Sequence, residues 1–427
     1  MERRQTSGRG FDSRHFHHIM VLGLDKVGLF HRLEGEMLYE DQNVRVWASD
    51  LDPKALLQAQ MTARVPVVTL PVGLMPDAHV GLGATVGSVV PTEGAIMPSC
   101  VGVDIGCGVI GAKTNLTAFD LPDDLTPMLP KLKVVVPAGV GKGHDPNTRP
   151  LDIVHKVNAW LEAHHPRTEL DERQQHTAWS QMGSLGSGNH FLEFSLDDED
   201  NVWAVIHSGS RGIGNQLARL HIAKAKEQTK KGGYGLENDD LAWLVEGTPE
   251  FEHYREDLFW AQNYALANRE IMMDGALKVL FDFVGKGQEQ DRINCHHNYV
   301  AEETHYGKDV YVTRKGAISA QKGELGIIPG SMANGCYVTR GKGEALAYNT
   351  SSHGAGRRLS RGQAKRELDV ESLNTAMKGR AWLADDAESL LDEHPEAYKD
   401  LEQVMADQAD LTEPVTFLRA VLNFKGV

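Results

Sequence analysis

The sequence predicts an α+β fold, a single large catalytic domain with central β-sheets and inserted and C-terminal helices. Three observations predict it. From Val65 to Thr114 β-branched residues recur among glycines, as in short strands joined by tight turns. Between Phe191 and Ile206 two apolar runs flank an acidic, turn-forming pentapeptide. Helical spacing is confined to separate blocks, and the two patterns never alternate regularly as successive βαβ units would.

Taken in order, residues 1–36 read as an N-terminal extension, polar and basic (Arg3, Arg4, Arg9, Arg14) and then briefly apolar. The catalytic domain is expected to span 37–427. Leu151–His165 carries Ile153, Val154, Val157, Trp160 and Leu161 at helical spacing. Phe191–Leu196 and Val202–Ile206 form a hairpin around Asp197–Asn201. His190 and His207 stand equally far from the middle of that turn, so pairing the strands brings both imidazoles to one end. Helical signals run from Asn215 to about Val284, with a break near Gly232–Gly235. Val310–Val312, Ile318, Ile327–Ile328 and Tyr337–Val338 read as strands. Helices are expected again from about Gln363 to Leu422.

Composition excludes several classes. With 41% hydrophobic residues in 427, a sizeable core is available. No uncharged apolar run approaches the ~20 residues that cross a bilayer. Ile19–Leu24 is too short for a signal-peptide core, and four cysteines (100, 107, 295, 336) make no disulfide framework. A cytoplasmic protein without membrane contact is expected. The net charge of −15 argues against indiscriminate nucleic-acid binding. Yet Tyr311–Arg366 carries ten bases against two acids, and 367–427 carries fourteen acids against five bases. Charge alone fits either a local polyanion-binding face or charges scattered over a folded surface.

The chemistry concentrates in Val101-Gly-Val-Asp-Ile-Gly-Cys-Gly108, which sets a carboxylate three residues before a thiol among glycines. That donor pair suits a divalent cation. Histidines occur in three further contexts: Gly-Asn-His190, His207-Ser-Gly-Ser-Arg211 and Cys-His-His297-Asn. Asp104, Cys107, His190, His207 and His297 make five candidate ligands, more than a four-coordinate catalytic ion needs. A thiolate can bridge, so two neighbouring ions are expected, a pair suited to in-line displacement at phosphorus. In Ser352-His-Gly-Ala-Gly-Arg357 an imidazole and an arginine flank open backbone, a setting for an anion. His353 reads as a base, a phosphate ligand or a nucleophile. The familiar nucleotide and hydrolase signatures are missing. Gly139-Val-Gly-Lys-Gly143, the nearest approach to a phosphate-binding loop, lacks the hydroxyl residue after its lysine.

Seven segments together, in order, resemble the RtcB family of GTP-dependent tRNA-splicing and RNA-repair ligases. They are Met75-Pro-Asp-Ala-His79, Gly102–Gly108, Gly186-Ser-Gly-Asn-His-Phe-Leu-Glu193, His207–Gly214, Asn294–Tyr299, Pro329-Gly-Ser-Met332 and Ser352–Arg357. The resemblance runs from about Met37 to Val427 and is closest to bacterial members. It implies that Asp104, Cys107, His190, His207 and His297 hold two Mn²⁺ ions with Cys107 bridging. His353 matches the histidine that takes GMP from GTP. Asn189, His190, Phe191, Leu192, Glu193, His297, Asn298, Pro329, Gly330, Ser331, Met332, Cys336, Gly354, Ala355, Gly356 and Lys425 match the guanylate pocket, with Tyr398 stacking near the base. Asp77 and Arg211 match active-site residues that handle RNA ends.

The implied reaction joins an RNA 3′-phosphate or 2′,3′-cyclic phosphate end to a 5′-hydroxyl end, with GTP as co-substrate. A monomer, and an activator protein as a further partner, fit the resemblance. Four features depart from the family pattern: the extension 1–36, Cys336 where many members have serine, and the milder Ala78 and Ser351. Two other enzyme classes stay open. A guanylyl-capping enzyme would stop before sealing, and a metal-dependent cyclic phosphodiesterase would work without His353 and Lys425.

Overall fold

A computed structural model describes residues 39–41 and 43–426. The chain divides into two units, Met1–Leu33 and Glu34–Val427. The first, and with it the extension read over 1–36, lies outside the described residues.

The α+β expectation holds. A seven-stranded antiparallel sheet runs, in spatial order, Glu289–His296, Gly108–Thr117, Asn201–Ser208, Phe191–Leu196, Thr412–Lys425, Cys336–Gly341 and Leu325–Pro329. A six-stranded sheet runs Tyr39–Asp41, Val44–Val46, Val72–His79, Val86–Thr92, Lys308–Lys315 and Asn298–His305. Only the pairing of Val44–Val46 with Val72–His79 is parallel there.

Strand alternation divides the seven-stranded sheet into two faces. Ile110, Ala112, Leu192, Phe194, Ile206, Leu422 and Phe424 pack on Met272, Met273, Ala276 and Leu280 of the helix Pro249–Val284. Thr248 caps that helix by accepting from the Phe251 amide (3.3 Å), and Gly285 ends it at φ 82°. The residues between, including Val109, Phe191 and Val205, face the other way with Ile327 and Cys336. This second face borders the candidate site.

The sequence reading needs correction at the C-terminal end. Helices do return at Arg361–Glu367, Val370–Ala376 and Leu401–Asp407, but Thr412–Lys425 is a strand. Val415, Phe417, Val421 and Phe424 are β-formers, and the strand lies between two others, where packing outweighs any helical spacing. The charge blocks also resolve. Arg340 pairs with Glu413, Arg357 with Glu393, Arg361 with Asp392 and Glu393, and Lys365 with Asp392. Four of the ten cations of the basic stretch are thus paired with the acidic one. Among the described residues no helix is long and apolar enough to cross a membrane.

Candidate functional site

The hairpin does what its symmetry predicts. Phe191 pairs with His207, and the His190 and His207 rings lie 5.0 Å apart. Val109 pairs with His207 from the other side, which brings Cys107 alongside. His296 pairs with Gly108, and the His297 amide donates to the Cys107 carbonyl at 2.7 Å. Three antiparallel registers therefore deliver one thiol and three imidazoles to one spot. Asp104 joins them from the turn before Cys107. Gly209 is obligatory here: a Cβ at that position would lie 2.2 Å from Asp104 Oδ1.

The donors form a row. Asp104 Oδ2 is 3.1 Å from His190 Nε2, which is 3.3 Å from Cys107 Sγ. Cys107 Sγ is 3.3 Å from His207 Nε2, which is 3.3 Å from His297 Nε2. Donors ~2.0–2.3 Å from a shared ion sit roughly 3–4 Å apart, so each step of the row fits a common cation. His190 Nδ1 donates to the Leu185 carbonyl (2.9 Å) and His207 Nδ1 to the Asn189 carbonyl (3.1 Å). These bonds leave both Nε2 lone pairs facing the row.

The electrostatics fit the same reading. Burial pushes His207 and His297 well below the ordinary imidazole range, so both are neutral donors. Burial, then the Asp104 charge, pushes the Cys107 thiol up, so its thiolate needs a cation beside it. Burial works against the Asp104 carboxylate, but the His190 hydrogen bond and the Arg211 charge hold it down at about 2.

His353 stands next to the row, its ring 4.7 Å from that of His297. Its Nδ1 is 2.6 Å from Asp77 Oδ2, which also accepts from the His353 amide at 3.2 Å. Asp77 is wholly buried at the end of the strand Val72–His79. Asp77, which the resemblance links to RNA ends, is thus hydrogen-bonded to both the ring and the backbone of His353. Arg211 enters its helix at φ 57°, rare outside glycine, and its Nε is buried without a hydrogen-bond partner among the described residues.

A cavity of about 400 Å³ opens onto these groups. Asn189, Phe191, Glu193, Asn298, Pro329, Gly330, Ser331, Met332, Cys336, Gly354, Ala355, Gly356, Tyr398 and Lys425 all line it. Leu192 does not. It points into the core from the opposite face of its strand, as alternation requires. Cys336 Sγ donates to Glu193 Oε1 (3.1 Å) and Asn423 Nδ2 donates to Glu193 Oε2 (3.0 Å). The thiol thus supplies a hydrogen bond where a serine would.

Sequence reasoning missed two supports. Glu393, 1% exposed, binds Tyr398 OH (2.6 Å) and Lys425 Nζ (3.2 Å) with one oxygen and Arg361 Nη1 (2.7 Å) with the other. Arg269, wholly buried, donates to the carbonyls of Gly106 (2.8 Å) and Ser208 (2.9 Å), fixing the backbone beside Cys107 and His207. Neither residue lies in a recognisable motif. A second group, His221, His253 and Asp257, has donors close enough for an ion. There, however, Asp257 binds His221 (2.7 Å) and both the amide (2.9 Å) and the hydroxyl (2.5 Å) of Thr168, while Lys224 Nζ lies 3.5 Å from His253. It serves as a hydrogen-bonded lock between two helices and a loop.

Known proteins match along nearly the whole chain. A family model described as tRNA-splicing ligase RtcB matches residues 58–426. RNA-splicing ligase RtcB of Escherichia coli K12 is 40% identical over 407 residues, covering 91% of this chain and 98% of that protein. tRNA-splicing ligase RtcB of Methanococcus maripaludis is 32% identical over 394 residues, covering 77% of this chain and 82% of that one.

Proposed function

The chain belongs to the RtcB family and is an RNA ligase, and from that premise we propose that it joins an RNA 3′-phosphate or 2′,3′-cyclic phosphate to a 5′-hydroxyl end, using GTP, through a GMP–His353 intermediate. One observation carries the reading. A row of five metal donors ends beside an imidazole that a buried carboxylate orients, in a cavity sized for a nucleotide.

Asp77 holds the Nδ1–H of His353 and so presents the Nε2 lone pair. Nε2 attacks the α-phosphorus of GTP, a P–N bond forms, the bond to the β-phosphate oxygen breaks, and pyrophosphate leaves. Asp77 offsets the positive charge that the imidazole gains, as a triad carboxylate does. A 2′,3′-cyclic phosphate is first opened by water, which breaks its P–O2′ bond and leaves a 3′-phosphate and a 2′-hydroxyl; an oxygen of the RNA 3′-phosphate then attacks the same phosphorus as the histidine did and frees His353. Finally the 5′-hydroxyl attacks the RNA phosphorus, loses its proton and expels GMP, leaving a phosphodiester. Glu193 and Lys425 would receive the base, and Arg211 an RNA phosphate. Asp104, Cys107, His190, His207 and His297 would hold two Mn²⁺ ions, which would supply positive charge to the oxygens on each phosphorus.

The test is incubation with α-phosphate-labelled GTP and Mn²⁺. Acid-labile label is expected on the protein, absent from His353→Ala, followed by joined RNA. Label passed to RNA without joining would mean a capping enzyme. Opening of a cyclic phosphate without any label would mean a phosphodiesterase.

A further inference from the structure

The glycine-rich loop Gly139–Gly143 is left unused by the reaction above, yet its base is tied to the segment that leads to Asn189 and His190. Ala138 bridges Gly186, and the Gly139 amide donates to the Gly186 carbonyl at 2.7 Å. Gly186 opens the turn that leads to Asn189 and His190. On its other side the loop is tied through Gln181, which donates to the Gly141 carbonyl (3.4 Å) and accepts from the amide of Gly212 (2.8 Å), the residue after Arg211. Gly426, next to Lys425, packs against Gly139 and Gly186.

The loop is fixed at its base and open at its tip. Gly141 stands at φ 67°, and nothing lies within 4 Å of where its Cβ would be. Val140 is 81% exposed. Lys142 is exposed and has no side-chain hydrogen bond or ion pair among the described residues. The nearest acid in sequence, Asp145, is engaged with the Asn147 amide (2.8 Å). The loop does not cradle phosphate as a nucleotide-binding loop does: the amides of Gly139 and Lys142 are already donated, to Gly186 and Gly139. What it offers is side chains, an aliphatic tip and a solvated cation. Neither serves the core.

Arg211 extends this surface. Its guanidinium lies against Gly186, and its side chain makes no ion pair within 4.0 Å among the described residues, although its charge also acts on Asp104. In a chain of net charge −15, a polyanion needs local cations such as the solvated Lys142.

We propose that the Gly139–Gly143 loop grips the backbone of an RNA strand whose end occupies the active centre, with Lys142 on a phosphodiester and Val140 against the adjoining sugar or base. This rests on the reading of the chain as an RNA ligase. The phosphodiester could belong to the 3′-phosphate strand or to the 5′-hydroxyl strand, and the experiment separates the two.

Lys142→Glu and Lys142→Gln are made in the full chain. Each is assayed for self-guanylylation and for joining, with the two RNA strands shortened independently. Guanylylation should match the unaltered protein. KM for RNA should rise about tenfold in Lys142→Glu and about threefold in Lys142→Gln, with the salt slope of RNA binding reduced by about one. The defect should disappear when the contacted strand is too short to reach the loop, which identifies that strand. Unchanged RNA KM and salt slope in Lys142→Glu would overturn the proposal. So would an equal loss of guanylylation and joining, which would mean that the loop only supports the nucleotide pocket. If the unaltered protein guanylylates but never joins RNA, the ligase reading itself fails and takes the loop's role with it.

Discussion

His353 Nδ1 and Asp77 Oδ2 are 2.6 Å apart, although 276 residues separate them in the chain. Asp77 closes a strand of the six-stranded sheet, while His353 follows the short strand Thr350–Ser352. Ser352 ties the two together, its hydroxyl accepting from the Asp77 amide at 3.3 Å. Asp77→Asn should keep this geometry but invert the donor relation, favouring the wrong tautomer of His353. Guanylylation at saturating GTP is expected to fall by about 10²–10⁴-fold with little change in KM, following the behaviour of orienting carboxylates in triads. Single-turnover label incorporation measures it, and a normal rate would remove the orienting role.

Cys107 occupies the middle of the donor row, so its loss should affect both ends. Cys107→Ala is expected to lose bound Mn²⁺, guanylylation and joining together. In the unaltered protein, chelation should lower Tm and Mn²⁺ should restore it, since a ligand at 100 times its Kd stabilises by about 2.7 kcal/mol. Zn²⁺ should bind more tightly and inhibit, because affinity orders do not favour Mn²⁺. Metal analysis together with calorimetry checks this. A Cys107→Ala protein with full metal content and activity would rule out bridging.

Glu393 holds Lys425, Tyr398 and Arg361 through one buried carboxylate. Burial opposes its charge, but Lys425 and Arg361 win and hold it below the ordinary value of 4.5. Glu393→Gln leaves Lys425 buried without a counter-charge, so a loss of roughly 3 kcal/mol of stability and a tenfold or larger rise in GTP KM are expected. A carboxylate depressed in the folded state stabilises above its unfolded value and loses that contribution as pH falls through the folded value. The stability gap between the two proteins should therefore be flat from neutral pH down to about 5 and close below 4.5. A gap that widened on acidification would contradict this assignment.

The parts legible in the sequence were those set by local chemistry. The hairpin register follows from two apolar runs and a turn, and Asp104-x-x-Cys107 lies within one turn. The second strand pair of the metal site, Glu289–His305, was missed because its run Glu-Gln-Asp-Arg is polar and half-exposed. Thr412–Lys425 is not legible as a strand on its own, because its place between two strands is a non-local fact. Glu393 and Arg269 escaped because their partners converge from distant segments, and a single buried charge leaves no spacing to recognise. The Leu192 side chain lies in the core, on the opposite face of its strand from its pocket-lining neighbours Phe191 and Glu193.

Residues 1–36 contain none of the seven motifs quoted for the site. A chain beginning at Met37 should fold and join RNA ends at close to the full rate. A shortened protein that melts normally but cannot join ends would assign the extension a function.

The proximity of His353 to the metal row raises the question of whether it acts in sealing as well as in activation. Its ring lies 4.7 Å from that of His297, close enough to take part in either displacement. If it only carries GMP, an RNA already bearing a guanylylated 3′-phosphate does not need it. His353→Ala should then fail with GTP and ordinary ends but join the pre-activated strand to a 5′-hydroxyl strand. Substitution of Cys107 or His207 should block both reactions, because the second displacement still builds charge at phosphorus. Two controls keep the result unambiguous: metal content and Tm of His353→Ala must match the unaltered protein. With those intact, failure on pre-activated RNA would mean that His353 also moves a proton in the sealing step. Asp77→Asn would then be impaired on the same substrate, since it sets the tautomer of that ring.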